Sequence, residues 1–136
     1  MRVVGIDLGT RRIGVAVSDS GGLLATPYEV IERSGDGAAD RERIAEVVRD
    51  VGAGTVVVGL PLSLDGSAGP AAVAATAEAD ALRRVLAVPV ECHDERLSTV
   101  SAHRSLAASG VKAKARRGVV DQVAAAVLLQ SWLDSR

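Results

Sequence analysis

Hydrophobic spacing along the chain switches between two periods, and each switch marks an element. Val3-Val4-Gly5-Ile6-Asp7-Leu8 is an apolar run that breaks at Gly9-Thr10, and Ile13-Gly14-Val15-Ala16-Val17 resumes it at once. That pattern predicts two strands joined by a short turn. Asp19-Ser20-Gly21-Gly22 is a hairpin signal, so the stretch from Leu23 to Val30 predicts a third antiparallel strand, with Pro27 placing it at a sheet edge. From Asp40 the period becomes helical. Ile44, Val47, Val48 and Val51 recur at i, i+3, i+4 and i+7, Arg41, Glu42, Arg43, Glu46, Arg49 and Asp50 fill the other side, and Gly52 and Gly54 stop the helix.

The second half alternates strand and helix. Thr55-Val56-Val57-Val58-Gly59 is a continuous β-branched run, as expected of a parallel strand covered on both faces. Pro70 suits the first turn of an alanine-rich helix reaching about Leu86. A fifth strand is expected from Pro89 to His93, closing on Asp94-Glu95-Arg96, and Ser98 or Thr99 then caps a helix ending near Gly110. The last helix, from about Val119 to Asp134, is apolar nearly all round and should be largely buried. A meander followed by right-handed crossovers predicts an α/β fold: a five-stranded mixed sheet, three strands antiparallel and two parallel, with helices on both faces. That is the ribonuclease H-like layout, and 136 residues fit it as one domain over residues 1–136.

Composition narrows the function classes. With 48% apolar and 24% charged residues a packed domain is expected, and no apolar run is long enough to span a membrane. Met1-Arg2-Val3 leads into a strand without a signal-peptide pattern, and Cys92 is the single cysteine, so a cytoplasmic location is expected and a cysteine-based zinc cage is excluded. The net charge of −1 means that any site for a polyanion must come from local clustering. Tyr28 and Trp132 are the only aromatic residues, so a nucleic acid would be read by its backbone or shape rather than by base stacking.

The residue most in need of explanation is Asp7, a carboxylate in the strand that should be most buried. Burying it alone costs several kcal/mol in order of magnitude, so a partner or a cation must compensate it. Gly5 and Gly9, at i−2 and i+2, clear the same face and let another group come close. Asp121 is the exception in the first turn of an otherwise apolar helix, although a first-turn carboxylate is favoured by the helix dipole in any case. Glu95 could equally pair with Arg96 or Arg104. Period-two alternation groups it with Glu91 and His93, and Asp94 with Val90 and Cys92, without deciding which acid faces a site. His93 and His103 lack metal-ligand spacing and read as structural or surface residues, and Cys92 reads as a small core residue. Lys112, Lys114, Arg116 and Arg117 are four cations in six positions before the last helix, and Arg11 and Arg12 follow Asp7 closely. Both sets suit phosphate contact, while the first could also be a solvated loop.

Gly5-Ile6-Asp7-Leu8-Gly9 with Arg12-Ile13-Gly14-Val15-Ala16, then Val58-Gly59-Leu60-Pro61, then Asp94-Glu95-Arg96-Leu97-Ser98-Thr99, then Asp121-Gln122-Val123-Ala124-Ala125, resembles the YqgF family, also called RuvX. The resemblance spans nearly the whole chain. It implies a nuclease hydrolysing phosphodiester bonds, processing the 5′ end of precursor 16S ribosomal RNA or, alternatively, resolving Holliday junctions in branched DNA. It further implies Asp7, Glu95 and Asp121 as catalytic and metal-binding residues, with Asp94 a substitute for Glu95. Oxygen ligands of that kind suit Mg²⁺ or Mn²⁺, and two ions would serve an in-line displacement. Arg96, in the same motif, joins Arg11, Arg12, Lys112, Lys114, Arg116 and Arg117 as an expected nucleic-acid contact. Resolution of a junction would require a homodimer, whereas processing one RNA strand would not. One departure stands out: related resolvases carry an acid on the strand between the first and the fifth, where this chain has Gly59-Leu60-Pro61. Two other readings remain at this level, a nucleic-acid-binding factor that does not cut, and an ATP-binding module of the actin and Hsp70 type, whose phosphate loop resembles Gly5 to Thr10.

Overall fold

The structure is a computed structural model describing residues 1–96 and 113–136, with side chains in the last helix described from residue 122 onward. Five strands, β1 (Arg2–Leu8), β2 (Arg12–Ser18), β3 (Ala25–Glu32), β4 (Ala53–Leu60) and β5 (Val90–Asp94), form one sheet in the order β3-β2-β1-β4-β5. β1 pairs antiparallel with β2 and parallel with β4; β2 pairs antiparallel with β3, and β4 parallel with β5. This is the expected mixed sheet. Pro27 does lie in an edge strand, where its missing N–H costs no ladder bond, and the register of β3 slips beside it, Ala16 facing Pro27 and Val15 facing Glu29.

Helices α1 (Gly37–Val51) and α2 (Pro70–Val85) cover one face, and α3 (Ala113–Asp134) the other. Strand alternation sorts the core accordingly. Val4, Ile6, Val15, Val56 and Val58 point toward α1 and α2, where they meet Ile44, Val47 and Leu82, while Val3, Ala16 and Val57 meet Ala125, Leu129 and Trp132 of α3.

Two helix starts differ from the sequence expectation. α1 begins three residues before Asp40 because Asp36 caps it, its carboxylate accepting from the N–H groups of Ala38 and Ala39. Asp40 is instead a buried first-turn residue that accepts hydrogen bonds from the Ser34 backbone N–H and hydroxyl. α3 begins six residues before Val119, so Lys114, Arg116 and Arg117 belong to a helix and not to a connecting loop. Lys, Arg and Ala are all good helix formers, and they extend the helix where no apolar stripe announces it. The helix expected after Ser98 lies outside the described residues, as do His103, Arg104 and Lys112. Cys92 is exposed rather than in the core, because β5 is the last strand of the sheet and burial there stops at Val90.

Candidate active site

The site is built around the end of β1, on the face covered by α3. β1 approaches that helix closely because Gly5 has no side chain: a Cβ there would stand 2.8 Å from Leu129 Cβ and 3.3 Å from the Ala125 carbonyl oxygen. Asp7, two residues on, shares the face. Its cross-strand partner on β2 is Gly14, and continuing the β1–β4 register past the Ile6–Val58 pair sets Gly59 on its other side. Glycines therefore surround Asp7 laterally as well as along its own strand. The sequence shows all four, but only strand pairing brings Gly14 and Gly59 beside the acid.

Gly59 answers the absence of an acid on the intervening strand. Glu95 follows β5 directly, its N–H reaching the Leu60 carbonyl at 3.3 Å, and its side chain folds back over β4. A Cβ on Gly59 would stand 2.2 Å from Glu95 Oε2 and 3.0 Å from Leu128 Cδ2. The missing side chain is the space through which Glu95 crosses β4 to reach Asp7. Strands two apart are separated by about 10 Å at ~4.8 Å per step, and the length of the glutamate spans much of that distance.

The two carboxyl groups hydrogen-bond to each other. Burial, then the Asp7 charge, then that hydrogen bond push Glu95 up to about 8, and burial raises Asp7 as well, against the hydrogen bond from Glu95 that lowers it. The pair therefore retains a proton well above the range in which free carboxyls release theirs, as expected where two carboxylates share a partly dry site.

Asp94, the substitute candidate, is otherwise engaged. Both its oxygens accept from Arg96 Nε, at 3.0 and 2.9 Å, Arg96 Nη2 adds a bond of 2.5 Å, and this guanidinium holds the Asp94 carboxyl below its ordinary value. Arg96 also donates to the Leu64 carbonyl at 3.1 Å, tying the end of β5 to the loop after β4. Of the adjacent acids, Glu95 faces Asp7 and Asp94 is clamped outside. His93, on the same face as Glu95, lies 3.0 Å from Ser131 Oγ and links β5 to α3.

The other expected site residues fall less closely together. Position 121 lies in α3 one turn before Ala125, the residue packed against Gly5, while the side chains of Asp121, Lys114, Arg116 and Arg117 lie outside the described residues. Arg12 pairs with Glu32 at 2.9 Å, and Arg11 is exposed. Among the described residues no three acids, histidines or cysteines gather as a metal cage, so Asp7 and Glu95 form a pair. As a donor set the pair fits a divalent cation: both ligands are hard carboxylate oxygens, and a cation would relieve the repulsion that the shared proton now relieves.

A five-stranded sheet in this order, with two facing carboxyls at the ends of β1 and β5, defines a ribonuclease H-like fold carrying an acidic site. The chain belongs to the RuvX family, whose description reads "Holliday junction resolvase" and whose pattern matches residues 1–135. It is 55% identical over 132 residues to a protein of Leifsonia xyli named "Putative pre-16S rRNA nuclease", covering 97% of this chain and 84% of that one. A Rhodococcus opacus protein of the same name is 52% identical over 139 residues, covering 99% and 78%. Among solved structures, Thermus thermophilus RuvC in complex with a Holliday junction substrate superimposes with a TM-score of 0.60 at 20% identity, covering 100% of this chain and 95% of that one. The fowlpox virus Holliday junction resolvase gives 0.59 at 11%, covering 99% of each. At such identities these likenesses establish the fold alone.

Proposed function

We propose that this protein hydrolyses phosphodiester bonds of precursor 16S ribosomal RNA during 5′-end processing in the cytoplasm, with Asp7 and Glu95, joined by Asp121, as the catalytic and metal-binding carboxylates. The observation that carries the reading is the Asp7–Glu95 pair meeting across Gly59, a buried acid pair that structural stability alone disfavours. The RNA substrate follows the names of the relatives at 55% and 52% identity. Mg²⁺ or Mn²⁺, as two ions, would supply a nucleophilic water at neutral pH and charge neutralisation at the scissile phosphate. Asp7 stands on the most central strand and fixes the position of the site. Glu95 would hold such an ion as a carboxylate, without the proton it shares with Asp7. Gly59 leaves the opening through which Glu95 reaches Asp7, and Gly5 lets α3 lie close against β1 beside the site.

Cleavage of precursor 16S RNA and of a four-way DNA junction, each in Mg²⁺ and in Mn²⁺, tests this directly. The RNA should be cut at its 5′ side, and Asp7→Asn should abolish cutting while circular dichroism stays unchanged; a fully active Asp7→Asn protein would falsify the assignment. The family description favours a second reading, junction resolution. That activity needs two sites related by a two-fold axis, so it requires a homodimer by sedimentation as well as symmetric nicks.

A further inference from the structure

Beyond the carboxyl pair, the described surface holds two adjoining hollows at the tip of the β1–β2 turn. One, of about 510 Å³, is bounded by Thr10, Arg11, Arg33 and Gly35; the other, of about 330 Å³, by Thr10, Arg33, Leu8, Ala74 and Glu78. Thr10 and Arg33 belong to both, so the two form one groove running from the sheet tip toward α2.

The charges in this groove are unevenly satisfied. Its acids are all committed: Glu32 to Arg12 at 2.9 Å, Glu78 to Arg41 at 3.1 Å, and Asp40 to the Ser34 hydroxyl at 2.8 Å. Arg11 and Arg33 are both exposed, and among the described residues neither has an ion-pair partner. They are also direct neighbours. Arg12 pairs with Glu32 in the β2–β3 ladder, and the Arg33 N–H donates to the Arg11 carbonyl at 2.9 Å, which continues the ladder by one step and sets the two arginines opposite each other. Like charges directly opposed across a ladder destabilise it. An anion between the two guanidinium groups turns that cost into binding.

We propose that the Arg11–Arg33 pair and the groove beside it seat the sugar-phosphate backbone of a single-stranded segment of the substrate, a nucleotide or two from the scissile bond. This rests on the nuclease reading of the carboxyl pair. Position supports it: Asp7 faces α3 and the groove opens on the α1 and α2 side, but both lie at the same end of β1. Only Leu8 and Gly9 stand between Asp7 and Thr10, so a strand leaving the carboxyl pair meets the groove by crossing the sheet tip. Shape supports a single strand: the groove runs between the β1–β2 turn, the start of α1 and the first half of α2, walls that one backbone can enter. Chemistry supports backbone contact: neither aromatic residue lines the groove, so it offers arginine forks for phosphate and no stacking platform.

The test is binding of a fluorescent single-stranded RNA and of the same sequence as a duplex, measured by anisotropy against salt in EDTA, where no cutting occurs. Arg11→Ala/Arg33→Ala should weaken single-strand binding and make the log–log salt slope shallower by about 1.4, at ~0.7 for each phosphate no longer neutralised. Arg11→Lys/Arg33→Lys should keep most of the slope. Arg84→Ala, at the far end of α2, removes an exposed cation elsewhere and should leave the slope as it is. Equal slopes for Arg11→Ala/Arg33→Ala and Arg84→Ala, with melting curves matching wild type, would overturn the proposal, as would a loss confined to the duplex. Failure of the nuclease reading shows separately, as an Asp7→Asn protein that still cuts.

Discussion

At the scale of single residues, the property that sets this site apart is a proton held between Asp7 and Glu95. Glu95 stands at about 8 in the folded protein against an ordinary 4.5, through burial first and the Asp7 charge second. An acid raised in this way is fully compatible with the fold below about pH 4.5. Its contribution is lost as pH rises through about 8, where the unfolded chain has already released the proton that the fold retains. Glu95→Gln keeps the hydrogen bond to Asp7 and removes the titration. In the absence of divalent cations the variant should therefore melt higher than wild type at pH 8, with the difference vanishing near pH 4. Adding Mg²⁺ or Mn²⁺ should raise the melting temperature of wild type, more at pH 8 than at pH 6 because binding displaces the proton, and should barely move Glu95→Gln. Equal melting temperatures for the two proteins across that range would show that the carboxyls do not share a dry site.

At the scale of elements, two glycines on neighbouring strands do different work, and their alanine variants should separate. At Gly59 the nearest obstacle to a new methyl group is the end of the Glu95 side chain, which can swing away, and the buried Leu128 Cδ2 at 3.0 Å need give only a few tenths of an ångström, so Gly59→Ala should cost less stability than Gly5→Ala while expelling Glu95 from the site. At Gly5 the obstacle is Leu129 Cβ together with the Ala125 carbonyl, neither of which can rotate aside. Gly5→Ala should push α3 off the sheet and cost about 1 to 3 kcal/mol, as overpacking does. Chemical denaturation beside a cleavage assay checks both: Gly59→Ala folded and inactive, Gly5→Ala destabilised. This is also where the limits of sequence reading lie. The sequence of strands and helices, the edge position of β3 and the exceptional status of Asp7 are legible in the sequence, because they follow from period, proline placement and one charge in an apolar run. The choice between Asp94 and Glu95 is not, since it depends on Arg96 clamping Asp94 and on where β5 stops pairing with Leu60. Nor is the role of Gly59, whose value as empty space exists only once a side chain from the next strand lies across it. The start of α3 escapes sequence reading because a run of cations can be loop or helix with equal polarity. Cys92 escapes it because period two shows which face a residue shares and not whether anything covers that face.

At the scale of the molecule, the two faces of the sheet are covered unequally among the described residues, and the site lies on the thinner side. α1 and α2 together bury one face, whereas the core opposite rests on α3 alone, through Ala125, Leu129 and Trp132. That same helix sets its backbone against Gly5, carries Asp121 along its length and holds His93 through Ser131. Stability of that half of the core and assembly of the site are therefore one property. Trp132 is the largest side chain fixing α3, 7% exposed and with the Arg136 guanidinium 4.1 Å over its ring. Trp132→Ala should cost about 3 to 5 kcal/mol, enough to remove a large share of the stability of a domain this size. Cleavage should fall in parallel as temperature rises, because the helix loosens from the sheet before the opposite core does. Leu64→Ala, on a side chain 91% exposed, should change stability by less than ~0.5 kcal/mol. Hydrogen exchange resolves the order of events: in Trp132→Ala the amides of α3 should lose protection while those of α1, on the far face, stay close to wild type. Uniform loss across both faces would mean that the two layers unfold together and that α3 has no separate hold on the site.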